Sequence, residues 1–141
     1  MNCLCCGKPL RTPEETGWHK ACIKRFFGTA NLPEIEIDDN TLNLLATETT
    51  NRGFTVPGVQ KKLSLHLVSD SNKPRLTFVN YPTGYILKPQ VAEFEAFPES
   101  EQLIMTMADM AGISTVPHAL IKGKTGQAYI TKRVDRNISD N

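Results

Sequence analysis

The stretch Leu63-Ser64-Leu65-His66-Leu67-Val68-Ser69-Asp70-Ser71-Asn72-Lys73-Pro74-Arg75-Leu76-Thr77-Phe78-Val79-Asn80 decides how this chain is read. Leu63, Leu65 and Leu67 alternate with Ser64, His66 and Val68, the period of a half-buried strand. Asp70 to Pro74 is turn chemistry, so Arg75–Asn80 is expected to return as the second strand of a hairpin. His66 reads as a solvent-facing strand residue, because no second ligand lies near it in sequence.

Downstream, Pro82-Thr83-Gly84 turns the chain again, into a third strand Tyr85-Ile86-Leu87-Lys88 that Pro89 closes. Pro98-Glu99-Ser100-Glu101 has the proline and acids of a first helical turn. Leu103, Ile104, Met107, Ala108, Met110 and Ala111 then recur at helical spacing, and Gly112 is a stop. The methionines read as core packing. Ile113–Ile121 is expected to be a strand, with His118 structural. Lys122–Gly126 reads as a turn and Ala128–Val134 as the last strand.

Upstream of the hairpin lies Gly53-Phe54-Thr55-Val56-Pro57-Gly58-Val59-Gln60-Lys61-Lys62. Gly53 and Gly58 allow left-handed backbone and close approach, and Gln60, Lys61 and Lys62 place an amide and two ammonium groups at the loop's exit. Two readings stand side by side, an anion cradle and an ordinary loop before a strand. Residues 31–37 read as an extended linker through Pro33. Asp38, Asp39 or Asn40 would cap a helix over about residues 40–50, bearing Leu42, Leu45 and Ala46.

Strands joined by short turns, with one inserted helix, give an α+β domain: an antiparallel sheet of about five strands packed on that helix. The expected organisation is a Cys/His segment at 1–30, linker and short helix at 31–51, the main domain at 52–136 and a tail at 137–141.

Composition narrows the function classes. The chain has 141 residues, 40% of them hydrophobic, and a formal net charge of +1 from 16 basic and 15 acidic residues. That balance gives no bulk attraction to nucleic acid or to a membrane surface. No run approaches the ~18 apolar residues of a membrane-spanning helix. Cysteines within the first seven positions do not suit a signal peptide, so a cytoplasmic setting is expected, with cysteines as metal ligands before disulfides.

Cys3-x-x-Cys6 is followed by His19-x-x-Cys22. The first pair shares one tight turn, with Gly7 to relax it, and the second shares a helix face if residues 19–27 are helical. Cys3, Cys6, His19 and Cys22 form a Cys₃His set suited to tetrahedral Zn²⁺, with no open position and hence a structural role. Cys5 is left over. The alternative is a set of free thiols and a surface histidine, but so small a segment would struggle to fold without a staple. Phe26 and Phe27 are expected to pack the knuckle onto the main domain, with Gly28 ending the helix.

The order of elements resembles that of a kinase small lobe. The stretches Val56–Leu63, Tyr85–Lys88, Glu101–Gly112 and Ala128–Arg136 resemble the HipA family of serine/threonine kinases, the toxins of bacterial toxin–antitoxin pairs. Short family members with an N-terminal Cys/His knuckle also look similar to residues 1–30. The resemblance implies that Pro57 to Lys62, including Gly58, Val59, Gln60 and Lys62, cover the phosphates of ATP. It implies that Lys88 contacts the α- and β-phosphates and that Glu101 holds Lys88 in place. Thr55 would be an autophosphorylated regulatory site, and Arg133 to Arg136 would lead toward the nucleotide hinge. Bland counterparts exist for each: a strand-end lysine, a helix-dipole acid, a loop hydroxyl and a surface charge cluster.

Phosphoryl transfer also needs an aspartate to orient the acceptor hydroxyl and an acid-plus-amide set for Mg²⁺. No HRDxxxxN-like or DFG-like segment occurs in the chain. The expectation is a nucleotide-binding lobe that is catalytically incomplete alone: a truncated piece, one subunit of a split kinase, or a remnant. ATP and Mg²⁺ would be used only with a large lobe supplied. The missing motifs make a separate large-lobe chain one expected partner, and the resemblance implies a DNA-binding antitoxin as another. The alternative from another class is a zinc-stabilised interaction module with no nucleotide role, for which Lys20, Lys24 and Arg25 form only a small basic cluster.

Overall fold

The computed structural model describes residues 1–11, 16–35, 63–69, 73–79, 84–88, 96–122 and 127–133. Its strands are β1 (Glu34–Ile35), β2 (Leu63–Val68), β3 (Arg75–Val79), β4 (Tyr85–Lys88), β5 (His118–Lys122) and β6 (Gln127–Lys132). Its helices are α1 (Lys20–Phe27) and α2 (Phe97–Met110). The fold is α+β, with one curled sheet in the order β1-β3-β2-β4-β6-β5.

The leucine alternation of β2 sets the register of the whole sheet. Leu65 faces Phe78 on one side and Tyr85 on the other, both antiparallel. β4 pairs antiparallel with β6, matching Leu87 to Ile130 and Lys88 to Tyr129, and β6 pairs with β5. Because side chains alternate across a strand, this register sorts them onto two faces. Leu65, Leu76, Leu87, Ala119, Ile121 and Ile130 share one, all essentially excluded from solvent. Lys88, Tyr129, Leu120 and His118 share the other.

The first face is covered by α1 and the turn before it. Cys22, Ile23, Phe26 and Phe27 are the buried positions of α1. Trp18 is wholly buried, with ring centroids 5.5 Å from Phe26 and 5.6 Å from Phe27. Phe27 lies 5.3 Å from the ring of Tyr85, whose hydroxyl donates to the Phe26 carbonyl (3.2 Å). Burial of that phenol pushes its pKa up to about 12. The two phenylalanines thus join the Cys/His segment to the sheet in one continuous core, each large apolar side chain contributing roughly 1.5–3 kcal/mol. The second face is covered by α2, which packs on β5 and β6.

Three expectations are corrected. The sheet is mixed and six-stranded: Glu34 and Ile35, read as linker, pair parallel with Arg75 and Leu76. Two residues after Pro33 carry no alternation, so this strand exists only through its partner. The strand expected over Ile113–Ile121 begins at His118, since Pro117 has no N–H to donate and serves instead as acceptor for Lys132 (3.1 Å). The apolar positions of α2 do not form core. Leu103, Ile104, Met107 and Met110 are exposed, while Glu101, Gln102, Met105 and Ala108 are half-buried.

The N-terminal segment also closes both ends of the sheet. At one end β1 lies along β3, with Glu34 N–H donating to the Pro74 carbonyl (3.1 Å). At the other end the outward N–H of Leu120 in β5 donates to the Leu4 carbonyl (3.0 Å), and the Trp18 indole N–H donates to the Leu120 carbonyl (3.1 Å). An open edge invites pairing with other chains; residues 1–35 occupy both.

Candidate functional site

The Cys/His segment builds a cluster from short-range constraints. Gly7 takes a left-handed φ of 79°, which lets its N–H return to the Cys3 carbonyl (2.9 Å) and closes the turn bearing Cys3 and Cys6. Gly17, at φ 75°, brings Trp18 and His19 against that turn; a Cβ there would stand 3.1 Å from Leu4 Cδ1. His19 then caps α1 in extended conformation, one turn before Cys22, and Gly28 ends the helix at φ 76°.

The donor atoms of Cys3, Cys6, His19 and Cys22 all lie within 4.8 Å of one another. His19 Nδ1 stands 3.4 Å from Cys6 Sγ and 3.8 Å from Cys22 Sγ. Tetrahedral zinc with ordinary Zn–S and Zn–N bonds needs about 3.6 Å for such a pair. His19 Nε2 sits 3.1 Å from the Pro9 carbonyl, so that nitrogen carries the proton and Nδ1 keeps its lone pair for the cluster. The N–H groups of Cys5 and His19 donate to Cys3 Sγ, both at 3.4 Å, and Arg25 donates to Cys22 Sγ (3.5 Å). The group can therefore hold a metal ion, with four protein donors, two of whose sulfurs also accept hydrogen bonds from backbone N–H groups or from Arg25.

Electrostatics favour the thiolate at Cys3 and oppose it at Cys22. Burial opposes the Cys3 thiolate, but backbone N–H groups from Cys6, His19 and Cys5 outweigh it and bring its pKa down to about 7. Burial, then the charges of Cys5 and Cys3, pushes Cys22 up to about 12. A divalent cation reverses that penalty, because a coordinating thiol is deprotonated outright. Cys5, free and outside the cluster, is pushed up to about 11, chiefly by burial and then by the Cys3 charge.

A second constellation lies on the α2 face of the sheet. Lys88, the last residue of β4, places Nζ 3.4 Å from Glu101 Oε1 on α2 and 5.7 Å from the centroid of the Tyr129 ring. The two charged side chains are 28% and 25% exposed, so the pair is sheltered without being sealed from solvent. Burial, then the charges of Glu101 and Asp109, raises the pKa of Tyr129 well above its ordinary value, which keeps its phenol neutral beside the lysine.

The next residue along α2 connects the two constellations. Gln102 donates through Nε2 to the Cys5 carbonyl (3.3 Å) and accepts through Oε1 from His118 Nδ1 (2.8 Å). His118 Nε2 reaches Asp109 Oδ2 (2.6 Å), and Thr115 donates its hydroxyl to the other carboxylate oxygen. Acceptors thus face both nitrogens of a buried ring. Gln102, Asp109 and Thr115 were not singled out by sequence reasoning; their contacts span 97, 9 and 6 positions and leave no local pattern.

Thr55, Gly58, Val59, Gln60 and Lys62 lie outside the described residues, as do the helix expected over about 40–50 and Arg136. Arg133, half-buried, donates its backbone N–H to the Gly84 carbonyl (2.8 Å). No helix among the described residues is long and apolar enough to cross a membrane.

The family model of the HipA-like C-terminal domain matches residues 54–140, more than half of the chain. The chain belongs to that family. The HipA-like region takes in β2 to β6 and α2, hence Lys88, Glu101 and the Gln102–His118–Asp109 network, and leaves the Cys/His cluster and β1 before it. No curated protein matches the chain.

Proposed function

We propose that this chain is the nucleotide-binding small lobe of a HipA-like serine/threonine kinase of the toxin–antitoxin class, carrying a structural zinc centre. One observation carries the reading: the Lys88–Glu101 pair joins a strand end to the packed helix within a HipA-like region. Phosphoryl transfer needs a cation fixed at the α- and β-phosphates, and a lysine held by a helix carboxylate supplies one without free rotamer search.

In this reading Lys88 binds the phosphates, Glu101 holds its ammonium group, and Tyr129 beneath it supplies a neutral π face. Gly58, Val59, Gln60 and Lys62 close over the phosphates, and phosphorylation of Thr55 switches the site off. Mg²⁺ and the residue that orients the acceptor hydroxyl come from a large lobe, in the same polypeptide or a second one. ATP supplies the phosphoryl group. Cys3, Cys6, His19 and Cys22 hold Zn²⁺, which fixes the N-terminal segment against β5. Partners by this reading are the large lobe and a DNA-binding antitoxin.

The test is a titration of the isotope-labelled full chain with a non-hydrolysable ATP analogue, followed by NMR. Shifts centred on Lys88, Glu101 and residues 57–62, lost in Lys88→Ala with the fold intact, are expected. A folded chain whose Lys88 and Glu101 resonances stay still at millimolar nucleotide would sink the reading.

A further inference from the structure

We propose that the Cys/His centre and the Lys88–Glu101 pair are one coupled unit, in which a metal ion held at the first positions the second through Gln102. The link starts from the two residues that Cys3 and Cys6 enclose. Leu4 offers its carbonyl to the Leu120 N–H of β5 (3.0 Å), and Cys5 offers its carbonyl to the side-chain amide of Gln102 on α2 (3.3 Å). A metal bound by Cys3 and Cys6 fixes both ends of that span, so one ion sets where both acceptors stand.

Both contacts land beside the pair. Lys88 is the register partner of Tyr129, and Tyr129 of Leu120, so the three make one cross-strand row over β4, β6 and β5. The Lys88 ammonium lies over the Tyr129 ring within that row. On the helix, Gln102 directly follows Glu101, whose carboxylate stands 3.4 Å from Lys88 Nζ. The metal turn thus holds the strand row that contains the lysine and the helical turn that contains its glutamate. Gln102 is held from its other side as well, where Oε1 accepts from His118 (2.8 Å). Attachment of the N-terminal segment is already served by Trp18, Phe26 and Phe27 in the core. What the two carbonyl contacts add is alignment with the pair.

Two states follow, one with the turn fixed by an ion and one with it shaped by backbone bonds alone. Linkage between them is reciprocal: the factor by which the ion favours the aligned pair is the factor by which the pair raises the affinity for the ion. This coupling rests on the metal reading of the Cys/His centre. It stands without the nucleotide reading, to which it adds metal control of the phosphate-binding lysine.

The experiment measures the zinc affinity of the full chain by competition with a chromophoric chelator. Gln102→Met removes the bridge at similar volume and should weaken zinc about tenfold. Glu101→Gln should weaken it about threefold. Lys88→Met should also weaken it, although removal of a positive charge would by simple electrostatics strengthen cation binding. In the Gln102→Met background the Glu101→Gln change should cost less than in the parent chain, a non-additivity that general destabilisation does not produce. Thr77→Ala, on β3, should leave the affinity unchanged. Stoichiometric zinc bound equally well by Glu101→Gln, Lys88→Met and the parent overturns the coupling and leaves the metal reading standing. An equal loss from Glu101→Gln in both backgrounds overturns the role of Gln102. A folded parent chain that binds no zinc overturns the coupling and the metal reading together.

Discussion

The side-chain amide of Gln102 donates to the backbone carbonyl of Cys5 across 97 residues of sequence (3.3 Å). The turn that carries Cys3 and Cys6 is thereby tied to the helix that carries Glu101. The other end of the same amide accepts from His118, a buried ring. Replacing Gln102 with alanine strands one donor and one acceptor partner, so Gln102→Ala should lower stability by about 1–3 kcal/mol. Urea unfolding monitored through Trp18 measures it, and a change within error would show that water replaces the amide at no cost.

Metal removal should unfold the N-terminal segment. Trp18 is wholly buried between α1 and β5, so chelation is expected to shift its emission to longer wavelength and lower the melting temperature. Cys22→Ser should abolish stoichiometric metal, whereas Cys5→Ser should retain it. Thiol ligands must lose their protons to bind, so affinity should fall as pH drops. A Co²⁺-loaded chain with the charge-transfer band of three thiolates would count the ligands, and an unchanged band in Cys22→Ser would contradict the assignment.

Asp109 predicts an acid dependence. The Thr115 hydroxyl, then His118, holds its carboxyl below the usual 3.8. A carboxyl whose folded pKa is depressed adds stability above its unfolded value and loses it as pH falls through the folded one. Asp109→Asn should therefore be less stable than the parent chain at neutral pH. The gap should begin to close near pH 3.8 and vanish further below it. A gap that is flat from pH 7 to 3 would exclude the carboxylate as its source.

The Lys88–Glu101 pair should matter little to stability. Both side chains are about a quarter exposed, and ion pairs of that kind contribute under about 1 kcal/mol. A double-mutant cycle with Lys88→Ala and Glu101→Ala should give a coupling within that limit. A larger coupling would mean that the pair is a fold determinant first.

Much of this architecture is written locally. The alternation at 63–68, the strand that returns from Arg75 and the four-residue strand ending at Lys88 need no distant partner to be legible, and the structure has all three. The same holds for the Cys-x-x-Cys and His-x-x-Cys spacings, which lie together because each pair is fixed by its own turn or helix. What eluded the sequence depends on neighbours far along the chain. Glu34–Ile35 becomes a strand only because the edge of β3 is available. The period of α2 announces an amphipathic helix but not which side turns inward; here Lys88, His118 and the Cys5 carbonyl draw the polar side in. Gln102 and Asp109 have meaning only once β5 has come alongside.

The closure of both sheet ends by residues 1–35 has a consequence for the order of events during synthesis. The first segment made is the one whose partners come latest: Trp18 waits 102 residues for the Leu120 carbonyl, and Glu34 waits for β3. Contacts of such separation are slow to form and leave early segments uncovered. A metal captured by Cys3, Cys6, His19 and Cys22 needs nothing beyond residue 22, so it can give the emerging knuckle its shape before any strand exists. Under the proposed zinc reading, metal supply during translation, rather than metal added to the finished protein, governs the yield of folded chain.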